Sequence, residues 1–248
     1  MNPLISIITV TYNAAEVLAP TLESVAGQTF RDYEHIIVDG MSTDATLSIA
    51  ASGRSQGLQI HSSRDRGIYD GMNRGIGYAK GKYLLFLNAG DRFASAETLE
   101  KYASALASAP DIVYGDTVIV DAGQRILRPR HLSAPEILTY RSFLNGMLVC
   151  HQAFMVRKEI APEFDLAYRL SADYDWCLEC IARSGITRRV NLKTVTIHYL
   201  DGGVSQKKKL ASLKERFVIM KRRFGLFPTL KAHLRFVPRA LRRRLLRH

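Results

Sequence analysis

Ile5-Ser-Ile-Ile-Thr-Val10 is a short run rich in β-branched residues that ends in the polar sequence Thr11-Tyr12-Asn13, which predicts a buried strand leading into a loop. Glu16–Gly27 then places apolar residues at the spacing of a helix that packs on a sheet. A second strand is predicted at His35-Ile-Ile-Val38, which ends at Asp39-Gly40. Because a strand, a helix and a strand follow one another within about 40 residues, the sequence predicts a βαβ unit and an α/β fold with a parallel sheet.

The same alternation continues along the chain. The strand predicted at Tyr83–Leu87 is apolar throughout, as expected of a strand that helices cover on both faces. The remaining predicted elements are helices at Thr43–Ser52, Ile68–Ala79, Ala96–Ser108 and Asp173–Arg183, strands at Leu58–His61, Asp111–Tyr114, Ala153–Val156 and Thr194–His198, and a hairpin of Asp116–Val120 with Arg125–Leu127.

Polar side chains gather after three of the predicted strands. They are Thr11 and Asn13 after the first strand, Asp39 and Asp44 after the second, and Asn88 and Asp91 after the strand that ends at Leu87. Ligands of open α/β sheets bind outside the carboxyl ends of the strands, so these residues mark one candidate site. A carboxylate taken alone is more often one that caps a helix or closes a turn, and it is the gathering of several that indicates a site.

The charge of the chain is unevenly distributed. The 248 residues include 35 Lys and Arg and 23 Asp and Glu, for a net charge of +12. Residues 205–248 alone hold 15 of the basic residues and one acidic residue, Glu215, so the rest of the chain is close to neutral. The sequence thus predicts a nearly neutral body and a cationic tail.

Cysteine content and hydropathy exclude two classes of protein. Three cysteines, Cys150, Cys177 and Cys180, do not suffice for a disulfide framework, and the Cys177–Cys180 spacing within a predicted helix indicates a buried pair rather than a metal or redox site. No apolar run approaches the ~20 residues of a membrane-spanning helix. We therefore expect a protein of a reducing, cytoplasmic compartment.

Four segments together resemble the family 2 glycosyltransferases. They are Ile5–Asn13, Val38-Asp-Gly-Met-Ser-Thr-Asp-Ala-Thr46, Asp65-Arg-Gly-Ile-Tyr-Asp-Gly-Met-Asn-Arg-Gly75 and Gly81–Asp91, and Ser171-Ala-Asp-Tyr-Asp-Trp176 extends the match. The resemblance implies the GT-A fold, an αβα sandwich with a mostly parallel central sheet that binds a nucleotide sugar. Carried over by position, it implies that the donor, a UDP-type nucleotide sugar, is bound by Thr11, Asn13, Asp39, Asp65 and Asn88.

The same resemblance implies a divalent cation, Mg²⁺ or Mn²⁺, but with an altered motif. Where the family has Asp-x-Asp after its metal-binding strand, this chain has Asn88-Ala-Gly-Asp91. Asp91 is then the expected metal ligand, with Asn88 through its carbonyl or a water, because such cations often take one or two carboxylates plus phosphate oxygens and waters. His198, at the end of a late strand, is a second candidate ligand; a half-buried structural histidine is the alternative.

Asp173 matches the catalytic base of the family. A carboxylate in this position can remove the proton of an acceptor hydroxyl as the hydroxyl attacks the anomeric carbon. One base without a covalent nucleophile implies inversion. Asp175, two residues on, is its alternative and a candidate acceptor-binding residue, although it could also serve as an acidic residue at a helix N-terminus. His151, in Cys150-His-Gln-Ala-Phe154, is expected near the acceptor unless it is a structural histidine.

We divide the chain into a catalytic domain, residues 1–204, and a basic amphipathic tail, residues 205–248. Residues 1–95 form the nucleotide-sugar half and residues 96–204 the acceptor half with the base, and Gly202-Gly203 is the predicted hinge.

In the tail, apolar residues recur every three to four positions among Lys and Arg, which is typical of helices that lie on an anionic membrane surface. For 210–224, packing on the body is an equal alternative. The apolar positions are Leu210, Leu213, Phe217, Met220 and Phe224, then Leu230, Leu234, Val237, Leu241 and Leu245.

The sequence therefore predicts an inverting, metal-assisted glycosyltransferase at the inner face of the bacterial plasma membrane. Its acceptor is expected to be a saccharide or a polyprenyl-linked sugar of a surface polysaccharide. A nucleotide-sugar-binding protein without transferase activity is one alternative. A nucleic-acid-binding protein is another, but the apolar stripe beside the cations and the lack of a nucleic-acid-binding motif disfavour it, so no nucleic acid is expected.

Overall fold

A computed structural model describes residues 2–202 and 208–234, and it contains one nine-stranded sheet. Eight strands follow the order β3-β2-β1-β4-β8-β6-β9-β5, and β7 pairs with β6 beside this path. The strands are β1 Ile5–Thr11, β2 Tyr33–Asp39, β3 Leu58–Ser62, β4 Tyr83–Phe86, β5 Arg92–Phe93, β6 Ile112–Val120, β7 Ile126–Pro129, β8 Phe154–Arg157 and β9 Arg189–Leu200. The α-helices are α1 Ala15–Ala26, α2 Thr46–Ala51, α3 Ile68–Tyr78, α4 Thr98–Ala105, α5 Ala172–Arg183 and α6 Lys209–Phe224.

The first half of the sheet is parallel. Strand β1 lies between β2 and β4 and runs parallel to both, and β3 runs parallel to β2 at the edge. This confirms the predicted α/β fold with its parallel βαβ units. It also brings the ends of β1, β2 and β4, with their polar residues, to one edge of the sheet.

The second half is mixed. Strand β8 runs antiparallel to both β4 and β6, β6 runs parallel to β9, and the short β5 is antiparallel to β9. Three details differ from the prediction. Strand β6 runs without a break from Ile112 to Val120, where two separate strands were predicted. Strand β9 begins at Arg189 rather than at Thr194, and β5 was not predicted. Most of the paired positions in the whole sheet still belong to parallel pairs.

Helices cover both faces of the sheet. Ile8 and Val10 of β1 point to one face and belong to a core that includes residues of α3, α5 and α6. Ile5 and Ile7 point to the other face and pack with residues of α1 and α4. Alternate residues of one strand thus serve two cores, which is why the strand is apolar at successive positions. Cys177 and Cys180 are buried free thiols, which fits the predicted buried pair.

Helix α6 packs on the body. Ile219 and Met220 are fully buried in the same core as α5, and Ser212 is buried about two turns earlier. Leu210 and Leu213, which belong to the apolar stripe expected from the sequence, are 77% and 44% exposed. Met220 and Phe224 of the same stripe do pack in the core, so the buried face of α6 coincides with only part of the stripe. Of the two alternatives considered for residues 210–224, packing on the body accounts for the contacts of this inner face.

Residues 226–234 are also helical, and Phe217 of α6 contacts His233 of this segment edge to face. Part of the predicted hinge, Gly203, and the second half of the predicted tail, from residue 235 on, lie outside the described residues. Within the residues described, helices that could cross a bilayer by their length and hydropathy are absent.

Two glycines of α3 are expected to respond to alanine with opposite signs. A Cβ on Gly75 would lie 2.4 Å from Ile8 Cγ2 of β1, whereas a Cβ on Gly77 meets nothing within 4 Å. Gly75→Ala should lower the free energy of unfolding by about 1–3 kcal/mol through overpacking. Gly77→Ala should raise it by up to about 1 kcal/mol, because alanine is the better helix former. Chemical denaturation of the two variants measures both effects, and equal shifts would contradict the close packing of α3 on β1.

Candidate active site

Asp39 ends β2 beside Thr11 of β1, and its carboxylate is surrounded by donors. Thr11 Oγ1 donates to Oδ1 at 3.0 Å, the Ser42 amide donates to Oδ2 at 2.9 Å, and Ser62 Oγ donates to Oδ2 at 2.8 Å. Burial would raise the pKa of Asp39, but the hydrogen bonds from Ser42, Ser62 and Thr11 hold it below its usual value. Asp39 is therefore an ionised carboxylate that joins the ends of β1 and β3 to the loop after β2, and a donor ligand would have to share or displace its hydroxyl partners.

Asn13 and Asp65 flank this carboxylate. Asn13 has a φ of +47°. Its side-chain Oδ1 accepts a hydrogen bond from the backbone N–H of Thr43 at 2.9 Å, and its backbone N–H donates to Ser42 Oγ at 2.8 Å. Asp65 lies over Gly40, where a Cβ would come within 2.8 Å of Asp65 Oδ2. The structure thus gathers Thr11, Asn13, Asp39 and Asp65 at one edge.

Tyr12 is a feature of this edge that was not singled out from the sequence. It stands between Thr11 and Asn13 and is 66% exposed. An exposed aromatic ring beside buried polar groups can stack on a planar ligand while those groups fix its orientation.

Gln152 ties the turn after β4 together. Its Oε1 accepts a hydrogen bond from the backbone N–H of Asn88 at 2.6 Å, and its Nε2 donates to Asp91 Oδ2. The Leu200 amide of β9 donates to Asp91 Oδ1 at 2.7 Å. Burial raises the pKa of Asp91 to about 7, although these donors lower it in part. Gln152, which is fully buried, was missed as a site residue because its partners lie about 60 residues away in sequence.

The turn provides a limited but suitable set of ligands for a hard cation. Asn88 Oδ1 is buried and has no hydrogen-bond partner among the described residues, so its amide oxygen is available. Gly90 has a φ of +97°, and a Cβ there would come within 2.9 Å of Leu200 Cδ2, which leaves no room for a carboxylate at that position. Groups of three or more His, Cys, Asp and Glu arranged to hold a metal are absent from residues 2–202 and 208–234. A cation here would thus be held by Asn88 and Asp91, with phosphate and water oxygens completing its shell.

His198 has a positively charged neighbour, unlike the other candidate metal ligands. It lies opposite Arg92 in the antiparallel pairing of β9 with β5. Burial and the Arg92 charge both lower the pKa of His198. The imidazole is neutral, as a metal ligand must be, but the neighbouring guanidinium opposes a second positive charge at this position.

Asp173 stands at the start of α5 and is connected to the turn after β4. His151 Nδ1 lies 3.3 Å from Asp173 Oδ2, and His151 Nε2 lies 3.4 Å from Asn88 Nδ2. Tyr69 of α3 donates to Asp173 Oδ1 at 3.2 Å. The carboxylate remains 17% exposed, so a substrate can reach it.

The charge state of Asp173 suits a base. Burial would raise its pKa, but the hydrogen bond and charge of His151 and the positive charge of Arg216 outweigh that effect and hold the pKa below its usual value. The group is ionised at neutral pH and can accept a proton from a hydroxyl group placed beside it.

Asp175 is not part of this cluster. Its Oδ1 accepts from Arg223 Nε at 2.7 Å and its Oδ2 from Arg223 Nη2 at 2.9 Å, and Glu179 binds the third nitrogen of the same guanidinium at 2.6 Å. Asp175 is 5% exposed and faces α6. The structure separates the two carboxylates that the sequence left as alternatives: Asp173 faces the site and Asp175 joins two helices.

Comparison with known proteins identifies relatives of the chain. The model of Glycosyl transferase family 2 matches residues 6–164. A PGL/p-HBAD biosynthesis glycosyltransferase of Mycobacterium bovis is 36% identical over 212 residues, which are 82% of this chain and 79% of the relative. An uncharacterized glycosyltransferase of Mycobacterium tuberculosis is 29% identical over 183 residues, 71% of this chain and 68% of that protein.

Solved structures share the fold at low sequence identity. S. aureus TarS 1-349 in complex with UDP-GlcNAc aligns with a TM-score of 0.73 at 18% identity, over 94% of this chain and 73% of that chain. The mannosyltransferase PcManGT from Pyrobaculum calidifontis, in complex with GDP-Man and Mn²⁺, aligns with a TM-score of 0.65 at 18% identity, over 94% of this chain and 69% of that chain.

Proposed function

Because the chain belongs to glycosyltransferase family 2, we propose that it transfers a sugar from a UDP-type nucleotide sugar to a saccharide or lipid-linked acceptor, with inversion. The observation that carries this proposal is the connected row Asn88–His151–Asp173, which joins the turn after β4 to a half-buried, ionised carboxylate. The Mycobacterium bovis relative, a PGL/p-HBAD biosynthesis glycosyltransferase, supports sugar transfer as the activity.

The proposed reaction uses Asp173 as the base. Asp173 removes the proton of the acceptor hydroxyl while its oxygen forms the bond to the anomeric carbon, and the bond from that carbon to the diphosphate breaks. The nucleoside diphosphate leaves with the electron pair. Tyr69 and His151 each bind one oxygen of Asp173 and fix its orientation. A divalent cation, when bound, stabilises negative charge on the departing diphosphate.

A panel of nucleotide sugars tests the proposal. We expect one UDP-sugar to raise the melting temperature of the full chain, more so with Mn²⁺ or Mg²⁺, and to be consumed with release of UDP when acceptor extracts are added. Stabilisation without turnover on any acceptor pool would favour the non-catalytic binding protein. The absence of both stabilisation and turnover across the panel would contradict the function itself.

Tyr12→Ala is expected to weaken UDP binding about tenfold, because a base stacked on an aromatic ring contributes on the order of 1–3 kcal/mol. Tyr12→Phe keeps the ring and should bind UDP as the wild type does. Isothermal titration with both variants separates stacking from the hydroxyl group. Equal affinities of all three proteins would place the base elsewhere.

We further propose that the outer face of the C-terminal helices contacts an anionic membrane surface from the cytoplasmic side. Leu210 and Leu213 of α6 and Leu230 and Leu234 of the helix at 226–234 are 43–77% exposed. Exposed Lys residues flank them, and each Lys or Arg near anionic lipid contributes roughly 1 kcal/mol. Such a surface would bring the protein to a lipid-linked acceptor.

Replacement of Leu210 and Leu213 by serine is expected to lower binding to vesicles of phosphatidylglycerol and phosphatidylcholine at least about tenfold in a sedimentation assay. The control is the double serine variant of Ile126 and Leu127, which are equally exposed but lie on β7. If both variants sediment as the wild type does, the outer face of α6 does not contact the membrane.

A further inference from the structure

The inner face of α6 holds the segment that leads to Asp173. Glu215, the one acidic residue of this helix, accepts the amides of Arg169, Leu170 and Ser171 at 2.8–3.0 Å. Ser171 Oγ also lies 3.0 Å from Ser212 Oγ. The sequence left two alternatives for this helix, packing on the body or contact with a membrane, and its inner face packs beside the proposed catalytic base.

Arg216 is the next residue on this face. Its guanidinium contacts an aromatic ring and forms no ion pair among the described residues. Its Cζ lies 5.4 Å from the centroid of the Tyr174 ring, close enough for a cation–π contact. Its Nε is buried without a hydrogen-bond partner among the described residues. Arg222 and Arg223 of the same helix, in contrast, pair with Asp165 and Asp175.

The neighbouring carboxylates do not take up this charge. Glu215 uses both oxygens for backbone amides. The charge of Arg216 lowers the pKa of Asp173, yet the oxygens of Asp173 are bound by Tyr69 and His151. A buried donor without a partner destabilises the folded protein, and an anionic ligand that reached it would remove that penalty.

We propose that Arg216 binds a phosphoryl group of a substrate beside Asp173. This inference rests on the proposed function, in which two substrate phosphates can approach the base: the diphosphate of the donor and the phosphate of a lipid-linked acceptor. A guanidinium offers a planar pair of donors that matches two phosphate oxygens, and the ring of Tyr174 orients it before the ligand arrives. A helix that faces the membrane on its outer side would thus bind substrate on its inner side.

The test compares Arg216→Met with Arg216→Lys in the full chain. Methionine keeps much of the packing on Tyr174 without the charge, whereas lysine keeps the charge without the planar fork. UDP and uridine probe the donor, and farnesyl phosphate and farnesol, added in detergent at saturating UDP, probe the acceptor. Affinities are measured by isothermal titration, so no turnover is required and failure of the transferase proposal is scored separately.

We expect Arg216→Met to weaken one phosphorylated probe about tenfold or more while its unphosphorylated partner binds as before, and Arg216→Lys to recover part of the loss. Loss with UDP identifies the donor as the source of the phosphate, and loss with farnesyl phosphate identifies the acceptor. Arg222→Met, on the exposed side of the same helix, should change neither. Unchanged affinity of Arg216→Met for both phosphorylated probes, or equal loss for the phosphorylated and unphosphorylated forms, would overturn the proposal.

Discussion

Asp173→Asn is expected to lower kcat for sugar transfer by about 10²–10⁴-fold, the range that a positioned general base contributes, and to leave UDP affinity unchanged. Asparagine keeps the size of the side chain and can still accept from Tyr69, but it cannot take the proton of the acceptor hydroxyl. The loss should therefore be in the chemical step. Rapid-quench or steady-state assays of UDP release, together with UDP titration, measure the two quantities.

Asp175→Asn is the matched control, since it makes the same chemical change two residues away. Its partner is Arg223, so the substitution weakens the contact between α5 and α6. We expect a lower melting temperature and nearly normal kcat for the folded protein. The reverse result, with Asp175→Asn inactive and Asp173→Asn active, would mean that the base has been misassigned.

Glu215→Ala should lower the free energy of unfolding by about 3 kcal/mol, because it leaves the part-buried amides of Leu170 and Ser171, and the exposed amide of Arg169, without their carboxylate acceptor. For a chain of this size, that corresponds to a fall in melting temperature of about 6–12 °C. Differential scanning calorimetry measures the change. The neighbouring Lys214→Ala alters the exposed side of the same turn and should stay within about 0.5 kcal/mol of the wild type.

A small effect of Glu215→Ala would show that α6 does not support the segment before Asp173. A large effect has a practical consequence for the membrane proposal. Deletion of residues 205–248 would remove Glu215 along with the outer face, so loss of vesicle binding by the truncated protein could reflect unfolding. Point variants of Leu210 and Leu213 avoid this ambiguity.

The sequence predicts the first half of the sheet well because its signals are local. Strands β1 and β2 are each rich in β-branched apolar residues and end in a polar residue, and both are buried along their whole length. The second half is harder. Gly115 interrupts the run of strand-forming residues in β6, yet the strand continues through it. A Cβ there would lie 2.6 Å from Thr196 Cγ2 of the adjacent β9, so the close approach of the two strands requires glycine at this position. Lys193, with a φ of +53°, lies inside β9, and the polar pair Lys193-Thr194 interrupts the alternation that begins at Arg189.

In the site, residue types were easier to infer than partners. Asp173 and His151 could be selected by motif, but their contact with each other and with Tyr69 depends on three elements far apart in sequence. Arg216 lay within a stretch whose many cations resemble a solvated helix face. Its guanidinium, whose Nε has no hydrogen-bond partner among the described residues, could not be distinguished from its neighbours by sequence. The pairing of Arg223 with Asp175 likewise becomes visible only once α5 and α6 are packed together.

The order of strands in the sheet also constrains how the chain reaches its native state. Strands β4 and β5 are six residues apart in sequence, yet β8, β6 and β9 lie between them in the sheet. The edge strand β5 therefore has no neighbour to pair with until β9 has left the ribosome, more than 90 residues later. Such non-local pairing predicts late closure of the sheet during synthesis, and a period in which the partly made chain exposes an apolar edge that chaperones would need to cover.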